Sequence, residues 1–480
     1  MKRTRDVART MVSGVALLLC SAMVAGAQQL EAPLNPGPKW PRIESSIVSK
    51  VQLVAAKQAV DAETGPPAEI VVLLQPEPGA LSASIDRDQL AELGARILAS
   101  SRHMLRVAVP CDRVQALAEV RGVNFVREPR GPSLNTVVSE GVSLVGAAMN
   151  HARGVRGSGA SVAVLDGGFV GADRLPDEIG ATRYIDLTHS GMFSAPPGSA
   201  TGEATHGTAC AEIVRDVAPD AELYLVKFDD ILDFENAVDS CMVREIDIVS
   251  FSGAWLAYGF GDGRGQAGDA VNSAFDNGVL WINSAGNYAH RQYSGLAFDA
   301  DGDQWMDVSS GLEGLGLPTV AVGDTIALFL TWDDWPVTTQ DFDLYLYRAS
   351  STGPALSAVD SSVAEQSARS PSPPVEYLEY AVTQPGSYFA AVKIYNSMRT
   401  PFVKVWSERH DLDSTISSIV GTISVPADAR GAFAVGAIDQ ALWAHPVVAA
   451  YSSQGPTVSG VVKPDIMAPS SVSTASYGRL

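Results

Sequence analysis

From about residue 156 onward, short apolar runs alternate with segments in which apolar residues recur every three or four positions. The runs are typical of buried strands, and the longer spacing is typical of helices that cover a sheet. Strands and helices in alternation indicate a parallel sheet with helices on both faces. We therefore predict an α/β fold with a doubly wound, mainly parallel sheet. Its predicted strands are 162–165, 223–227, 246–251 and 279–283, and its predicted helices are 209–214, 235–242 and 268–277.

A smaller pattern precedes it, over residues 68–128. The strand-like segments are 69–74, 104–109 and 123–126, and the helix-like segments are 87–95 and 113–120. This β-α-β-α-β order predicts a small α+β unit in which one sheet carries helices on one face.

A third pattern, between about 296 and 420, consists of short strands separated by turns. The strands are predicted at 325–332, 342–347, 377–382 and 388–394, with a turn at 384–387 before the last. Short strands and turns indicate a β-sandwich. The α/β pattern returns near residue 421, so we interpret the sandwich as an insertion at an exposed loop, where insertions are tolerated.

The first 27 residues have the pattern of a secretory signal. Four basic residues among the first nine precede a mostly apolar stretch at 11–24, and Ala25-Gly26-Ala27 ends it. The apolar stretch is shorter than the roughly 20 residues of a spanning helix. We therefore predict cleavage after residue 27, a secreted or periplasmic protein, and no membrane attachment afterwards.

Together these patterns predict seven segments. They are a signal peptide (1–27), a linker (28–67), the α+β unit (68–128), a processing region (129–155), the first part of the α/β domain (156–295), the inserted sandwich (296–420) and the second part of the α/β domain (421–480).

The net charge limits the classes of partner, and the cysteine count limits the possible disulfide bonds. The net charge of −20 argues against nucleic acid as a partner. Removal of the signal leaves Cys111, Cys210 and Cys241, an odd number, so at least one thiol is unpaired within the chain. A Cys210–Cys241 bridge is one alternative, although both residues fall in predicted helices.

Three polar residues stand at predicted strand ends or helix starts, where open α/β sheets carry their chemistry. Asp166 closes a strand, His206 begins a helix and Asn287 follows a strand. They could supply a carboxylate that orients an imidazole, the imidazole that takes a proton from a hydroxyl, and a donor to an oxyanion. Taken singly, each could instead be a helix cap, a structural histidine or a turn residue.

The flanking motifs, which favour the chemical interpretation, lie at 161–168, 206–211, 284–287, 451–457 and 463–469. With these motifs the chain resembles the subtilisin-like serine proteases, the subtilases. The resemblance implies that Asp166 orients, His206 is the general base and Asn287 donates to the oxyanion. It also implies peptide-bond hydrolysis, protein or peptide substrates and no required cofactor.

The same resemblance assigns substrate contacts and an inhibitor. Segments 252–254 and 284–286 match the walls of the substrate cleft, with the first pairing with an extended peptide. The 68–128 unit is similar to the family's inhibitory propeptide, and the sandwich is similar to a pre-peptidase C-terminal domain. The wall residues are Ser252, Gly253, Ala254, Ser284, Ala285 and Gly286.

The sequence departs from the family pattern in the region where the nucleophilic serine is expected. The family's serine lies in a Gly-Thr-Ser stretch shortly after a segment like 469–475, and none of the serines at 470, 471, 473 and 476 has that context. We expect the sequence to stop short of the nucleophile and the 480-residue chain not to cleave casein. The alternative is a non-catalytic relative that binds peptide or protein.

Two groups of residues allow a metal interpretation. Cys210 lies one helical turn after His206, a spacing that suits zinc, although some subtilases carry a free cysteine at this place. Asp299, Asp301 and Asp303 form an oxygen-rich loop of the kind that calcium prefers. Structural calcium is one interpretation of that loop, and a solvated acidic turn is the other.

Overall fold

The computed structural model describes residues 40, 42–48, 50–51, 68–129, 133–134, 141–172, 182–188, 205–349, 357–370 and 372–476. The predicted signal peptide, three quarters of the 28–67 linker (30 of its 40 residues) and parts of the processing region lie outside these residues.

The N-terminal unit is a four-stranded antiparallel sheet. The strand order is β2-β3-β1-β4, and a core of aliphatic side chains lies between the sheet and its helices. The segment 96–100, not predicted as a strand, forms the edge strand β2. The elements are β1 Glu69–Pro76, α1 Arg87–Glu92, β2 Arg96–Ser100, β3 Leu105–Pro110, a 3₁₀ helix Cys111–Glu119 and β4 Val123–Arg127.

The central domain has a seven-stranded sheet in which every strand pairing is parallel, so the predicted fold class is confirmed. Its order is β21-β20-β11-β9-β6-β8-β7. The strands are β6 Ser161–Asp166, β7 Thr182–Asp186, β8 Glu222–Lys227, β9 Ile248–Phe251, β11 Leu280–Ser284, β20 Ala432–Asp439 and β21 Ile466–Ser470.

Helices and two short strands complete this domain. Aromatic side chains from α4, β9 and β11 pack together in the core on one side of the sheet, with Phe234, Phe251 and Trp281 at its centre. The helices are α2 Ala147–Ala152, α3 His206–Val217, α4 Ile231–Val243 and α5 Gln266–Asp276, and the short strands are β5 Ser133–Leu134 and β10 Gly253–Ala254.

The inserted body is a sandwich of two four-stranded antiparallel sheets, ordered β12-β19-β14-β17 and β13-β18-β15-β16. Because residues 292–296 form a strand that pairs with another strand of the sandwich, they belong to the sandwich. Its strands are β12 Gln292–Leu296, β13 Leu315–Gly316, β14 Thr325–Trp332, β15 Asp341–Arg348, β16 Ser357–Ser362, β17 Val375–Ala381, β18 Tyr388–Asn396 and β19 Phe402–Ser407.

Charged groups join the N-terminal unit to helix α4. Arg106 of β3 is buried and forms ion pairs with Asp230 (Nη2–Oδ2 2.6 Å) and Asp233 (Nη2–Oδ2 3.0 Å). Asp230 also caps α4, since its Oδ1 accepts from the Leu232 and Asp233 amides. A strand of one unit thus neutralises the acidic start of a helix in the next.

Two further observations bear on the sequence predictions. Cys111, Cys210 and Cys241 are all free thiols and all buried, so Cys210 and Cys241 form no bridge. Among the described residues, no helix has both the length and the apolar composition needed to cross a membrane.

Candidate active site

Asp166 and His206 form a buried hydrogen-bonded pair at the C-terminal edge of the parallel sheet. Asp166 is the last residue of β6, and His206 is the first residue of α3. The Nδ1 of His206 lies 2.6 Å from Oδ2 of Asp166, and the Gly168 amide donates to Oδ1 at 3.3 Å. Nδ1 therefore carries the proton that is donated to the carboxylate, which leaves Nε2 as the basic nitrogen.

Gly207 explains how the helix comes so close to the strand. A Cβ at this position would lie 2.5 Å from the Gly168 carbonyl oxygen and 2.7 Å from Cβ of Asp166. Both distances are far below van der Waals contact, so only glycine lets α3 start against the turn after β6. The His-Gly motif is thus a steric requirement of the pair.

The environment of His206 favours its protonated form. Burial alone lowers the pKa of the imidazole, but the neighbouring Cys210 sulfur and the Asp166 carboxylate outweigh burial and raise the pKa of His206 well above its ordinary value. A general base must be neutral to accept a proton. We therefore expect the fraction of His206 able to act as a base to rise with pH through this raised pKa.

We predict that an NMR titration of the His206 ring in the 480-residue protein has a midpoint well above that of a free imidazole. Cys210→Ala should lower the midpoint, because it removes the sulfur that favours the imidazolium. Cys111→Ala, which removes a buried thiol of the N-terminal unit, serves as the control and should leave it unchanged. An unshifted midpoint in Cys210→Ala would assign the elevation to Asp166 alone.

The position of Cys210 disfavours the zinc interpretation. The ligand atoms of Asp166, His206 and Cys210 lie within 4.8 Å of one another. However, Sγ is 4.0 Å from both Nδ1 and Nε2, so it lies on the plane that bisects the two nitrogens and not along either lone pair. Zinc needs a ring nitrogen at about 2.0 Å along its lone pair, and Nδ1 is already engaged with Asp166.

The loop after β11 contains Asn287 and is fixed by two serines. Gly286 has a φ of +112°, and a Cβ there would lie 2.8 Å from the hydroxyls of both Ser424 and Ser453. The Ser424 hydroxyl donates to the Ala285 carbonyl, and the Tyr288 amide donates to the Ser453 hydroxyl. Within the described part of the chain, the half-buried side chain of Asn287 makes no hydrogen bond, so its amide is available as a donor.

Sheet order relates this loop to the Asp166–His206 pair. Strand β9 lies between β6 and β11, so the two strands end at the same edge, about 10 Å apart. Ser284, Ala285 and Gly286 therefore share the edge that carries Asp166.

The predicted substrate strand is paired with a piece of the chain itself. Gly253 and Ala254 form β10, which pairs antiparallel with β5, Gly253 opposite Leu134 and Ala254 opposite Ser133. Ser252 immediately precedes β10.

A buried asparagine that no sequence pattern indicated connects the two predicted walls. Asn283 Nδ2 donates to the Gly253 carbonyl at 3.4 Å and to the Ser284 carbonyl at 2.9 Å. Its Oδ1 accepts from the Trp281 indole at 3.1 Å. One side chain thus holds segments 252–254 and 284–286 in a fixed relation.

Helix α3 also holds the segment that follows β21. The buried carboxylate of Glu212 accepts from the amides of Ala475 (2.5 Å) and Ser476 (3.1 Å). Glu212 lies on the helix that begins with His206, so residues 475–476 run beside it. In the described residues, no hydroxyl is hydrogen-bonded to His206, and the structure assigns no nucleophile.

The acidic loop at the start of the insert is compact. Carboxylate oxygens of Asp299, Asp301 and Asp303 lie within 4.8 Å of one another. Backbone amides already donate to all three side chains, for example Gly302 to Asp299 and Trp305 to Asp303. The loop thus holds three carboxylates close together, and calcium binding by them stays a prediction.

Comparisons with known proteins point in one direction. The model of the subtilase family matches residues 415–479. An alkaline protease of Alkalihalobacillus alcalophilus is 30% identical over 243 residues, covering 46% of this chain and 60% of the relative. Subtilisin BL of Lederbergia lenta is 32% identical over 206 residues, covering 38% of this chain and 71% of the relative. The chain thus spans about 60% of the length of the alkaline protease it matches.

Among solved structures, the CspB protease of Clostridium perfringens aligns with a TM-score of 0.42 and 15% identity, covering 68% of this chain and 80% of that one.

Proposed function

The chain belongs to the subtilase family, and on that premise we propose that it is a secreted serine endopeptidase acting through an Asp/His/Ser triad. The observation that carries the proposal is the buried Asp166–His206 pair, with Oδ2 and Nδ1 2.6 Å apart. In the triad of a serine protease, the aspartate of such a pair orients the histidine, and the histidine accepts the proton of the serine.

In the proposed reaction, Nε2 of His206 takes the proton of the nucleophilic serine as the serine attacks the peptide carbonyl. The imidazolium that forms is stabilised by the Asp166 carboxylate, which remains ionised. His206 then returns the proton to the leaving amine. The amide of Asn287 donates to the oxyanion, a type of contact worth about 10²–10³ in kcat.

The pairing of β5 with β10 supports an extended mode of peptide binding. Ser133 and Leu134 lie antiparallel to Gly253 and Ala254, so a peptide in their place would run from Ala254 towards Ser252. Main-chain pairing of this kind gives affinity without demanding a particular side chain. We therefore propose segments 252–254 and 284–286 as the substrate walls.

The same pairing supports an inhibitory role for the N-terminal unit. The unit is fastened to α4 through Arg106, and the chain that leaves it occupies the β10 edge. A substrate would have to displace β5 to pair there. We propose that the unit is an intramolecular inhibitor, released by cleavage within the 129–155 region.

The deciding experiment begins with the nucleotides after the codon for Leu480. An open frame that encodes Gly-Thr-Ser within about twenty codons supports the proposal. The protein expressed from that frame should cleave casein, and His206→Ala should abolish cleavage. A stop codon directly after Leu480 would refute catalysis by this protein, as would casein cleavage that persists in His206→Ala.

A second candidate function is peptide or protein binding without catalysis. It is favoured by the β5–β10 pairing, which needs no nucleophile. The 480-residue protein, cleaved within 129–155 and freed of its N-terminal unit, should then bind extended peptides. Proline scanning of a bound peptide should weaken binding wherever an amide pairs with β10, whereas equal affinity for every proline variant would contradict this mode.

We also propose that Asp299, Asp301 and Asp303 bind structural calcium. We predict that millimolar Ca²⁺ raises the Tm of the 480-residue protein and that excess EDTA reverses the rise. Asp301→Asn should remove most of the effect, whereas Asp276→Asn, at an exposed ion pair with Arg430, should retain it. An equal rise in both variants would assign the effect to general charge screening.

A further inference from the structure

Arg127, the last residue of β4, reaches from the N-terminal unit to the α/β domain. It is only 2% exposed, and arginine is rarely buried unless a partner holds its charge. Its guanidinium carbon lies 3.9 Å from the centre of the Tyr258 ring, and its Nη2 donates to the Ala257 carbonyl at 3.3 Å. We call the place formed by this ring face and this carbonyl the arginine slot.

The contacts in the arginine slot suit a guanidinium group. A flat and weakly hydrated cation stacks on an aromatic face, and the attraction is stronger where water is excluded. The Ala257 carbonyl accepts one N–H group, whereas Nε of Arg127 is buried and has no hydrogen-bond partner among the described residues. The slot therefore holds the group by stacking and by one hydrogen bond, so both the flat shape and the charge of the ligand matter.

The backbone that supplies this carbonyl is strained. Ala257 has a φ of 65°, in the left-handed region that is unfavourable for a residue with a Cβ. Strained residues of this kind cluster at binding and catalytic sites, where the surrounding structure maintains them. Here the strained residue is the one whose carbonyl accepts from Arg127, so the strain coincides with the arginine slot.

The arginine slot lies on the same segment as the edge of β10. Ala257 follows Ala254, the last residue of β10, by three positions (257 minus 254). Ser133 of β5 lies opposite Ala254, and Arg127 precedes Ser133 by six positions (133 minus 127). The chain that leaves the N-terminal unit thus occupies two neighbouring places on one segment, the slot and the strand edge.

Both residues of the arginine slot belong to the α/β domain, so the slot does not depend on the N-terminal unit for its contacts. Tyr258 is 2% exposed while Arg127 covers its ring. Departure of Arg127 would uncover the ring face and leave the Ala257 carbonyl without this donor. Uncovered groups of this kind favour a new ligand that has the same chemistry.

We propose that the arginine slot is a binding site for the guanidinium group of an arginine. In an extended peptide ligand, this arginine would lie six positions before the residue that pairs with Ala254, as Arg127 does. The peptide part of the inference rests on the proposed pairing of substrates with β10, whereas guanidinium binding by the slot does not. The slot would give the protein a preference for peptides with arginine at that distance.

The slot itself is tested in the 480-residue protein with Arg127→Ala. This substitution removes two methylene carbons and the guanidinium group, which together correspond to ethylguanidinium. Millimolar ethylguanidinium should therefore raise the Tm of the variant, and the rise should saturate. Ethylurea has the same shape without the charge, and ethylammonium has the charge without the flat group. Each should bind at least about tenfold more weakly.

The matched control is Arg121→Ala, because Arg121 also belongs to the N-terminal unit but its side chain is 81% exposed. Ethylguanidinium should leave the Tm of this variant unchanged. When combined with Arg127→Ala, Tyr258→Phe should keep the affinity because the ring face remains, and Tyr258→Leu should lower it roughly tenfold. The lack of a saturable rise in Arg127→Ala, or an equal rise in Arg121→Ala, would overturn the slot.

The peptide ligand is tested with the 480-residue chain cut once within 129–155, so that its N-terminal unit can exchange with added peptide. The probe is a fluorescent synthetic peptide with the sequence of residues 126–136, and binding is followed by anisotropy. Arg127→Met in the peptide should weaken binding about tenfold. Arg130→Met makes the same charge change outside the slot and should weaken binding less than about twofold.

The two experiments separate the slot from the proposed function. Equal weakening by the two peptide substitutions would overturn the peptide part, because general attraction to the acidic protein would then explain it. If none of the three peptides binds, the proposed pairing with β10 is refuted and the peptide part with it, while a rise in Tm with ethylguanidinium would still establish the slot. Peptide binding without that rise would refute the slot alone.

Discussion

Replacing His206 by alanine is expected to abolish the proposed peptide hydrolysis. Among the described residues, His206 is the only side chain that is hydrogen-bonded to Oδ2 of Asp166. The only polar atom near Nε2 of His206 there is the Cys210 sulfur. Without the imidazole, the proton of the proposed serine nucleophile has no acceptor. A fall of about 10⁶ in kcat is the size found when a subtilisin, a relative of this protein, loses its catalytic histidine.

The control for this change is His445→Ala, which removes an exposed imidazole. It should leave kcat and KM unchanged. Asp166→Asn should retain the fold and lose about 10⁴ in kcat, because an amide neither holds the correct tautomer nor stabilises the imidazolium. Comparable activity in His206→Ala and His445→Ala would exclude His206 as the base.

Replacing Arg106 by methionine is expected to destabilise the 480-residue protein by about 3–5 kcal/mol, because it leaves buried carboxylates without their counter-charge. The guanidinium contacts Asp230 and Asp233 and also donates to the Thr188 carbonyl at 3.3 Å. Burial and the nearby Asp230 raise the pKa of Asp233 to about 6 even with Arg106 present. The measurement is urea unfolding followed by circular dichroism.

Two further variants test the electrostatic explanation. Arg121→Met removes an arginine that pairs with Asp86 while remaining largely exposed, and it should cost less than about 1 kcal/mol. Adding Asp230→Asn and Asp233→Asn to Arg106→Met should restore most of the stability, since none of the three charges of this cluster remains and the asparagine introduced at position 230 can still cap α4. A triple variant as unstable as Arg106→Met would show that packing of the arginine side chain matters more than its charge.

Much of the candidate site could be predicted because its residues stand at element ends. Asp166 ends an apolar strand and His206 starts a helix, and parallel strands bring such ends to one edge. Gly207 also has a local reason, the close approach of helix and strand. Residues whose role depends on distant partners could not be identified this way. Asn283 resembles any strand residue until its contact with the Gly253 carbonyl is seen.

In the fold, too, the features that could not be predicted are those that depend on partners distant in the sequence. Strand β2 was not predicted because 96–100 is half-exposed and does not alternate, and its pairing with β3 makes it a strand. Strand β7 likewise depends on its pairing with β8. Arg106 lies in a predicted strand, but nothing near it in the sequence indicates that its charge is buried against α4, because its hydrogen-bonded partner Asp230 is 124 positions away.

The inserted sandwich has a consequence for the order in which the chain folds. Strands β11 and β20 are neighbours in the parallel sheet, yet Trp281 and its partner Ala432 are 151 positions apart (432 minus 281). Within the insert, β12 and β19 pair so that Gln292 lies opposite Trp406. If the sandwich folds first, the flexible chain between Trp281 and Ala432 is shortened to 37 positions. Of these, 11 precede Gln292 and 26 follow Trp406.

By chain-entropy arithmetic, this shortening lowers the closure cost by about 1 kcal/mol. We therefore expect β20 and β21 to join the sheet only after the sandwich has folded. Slow or defective sandwich folding would then delay assembly of the α/β domain, even though the sandwich contributes no residue to the Asp166–His206 pair.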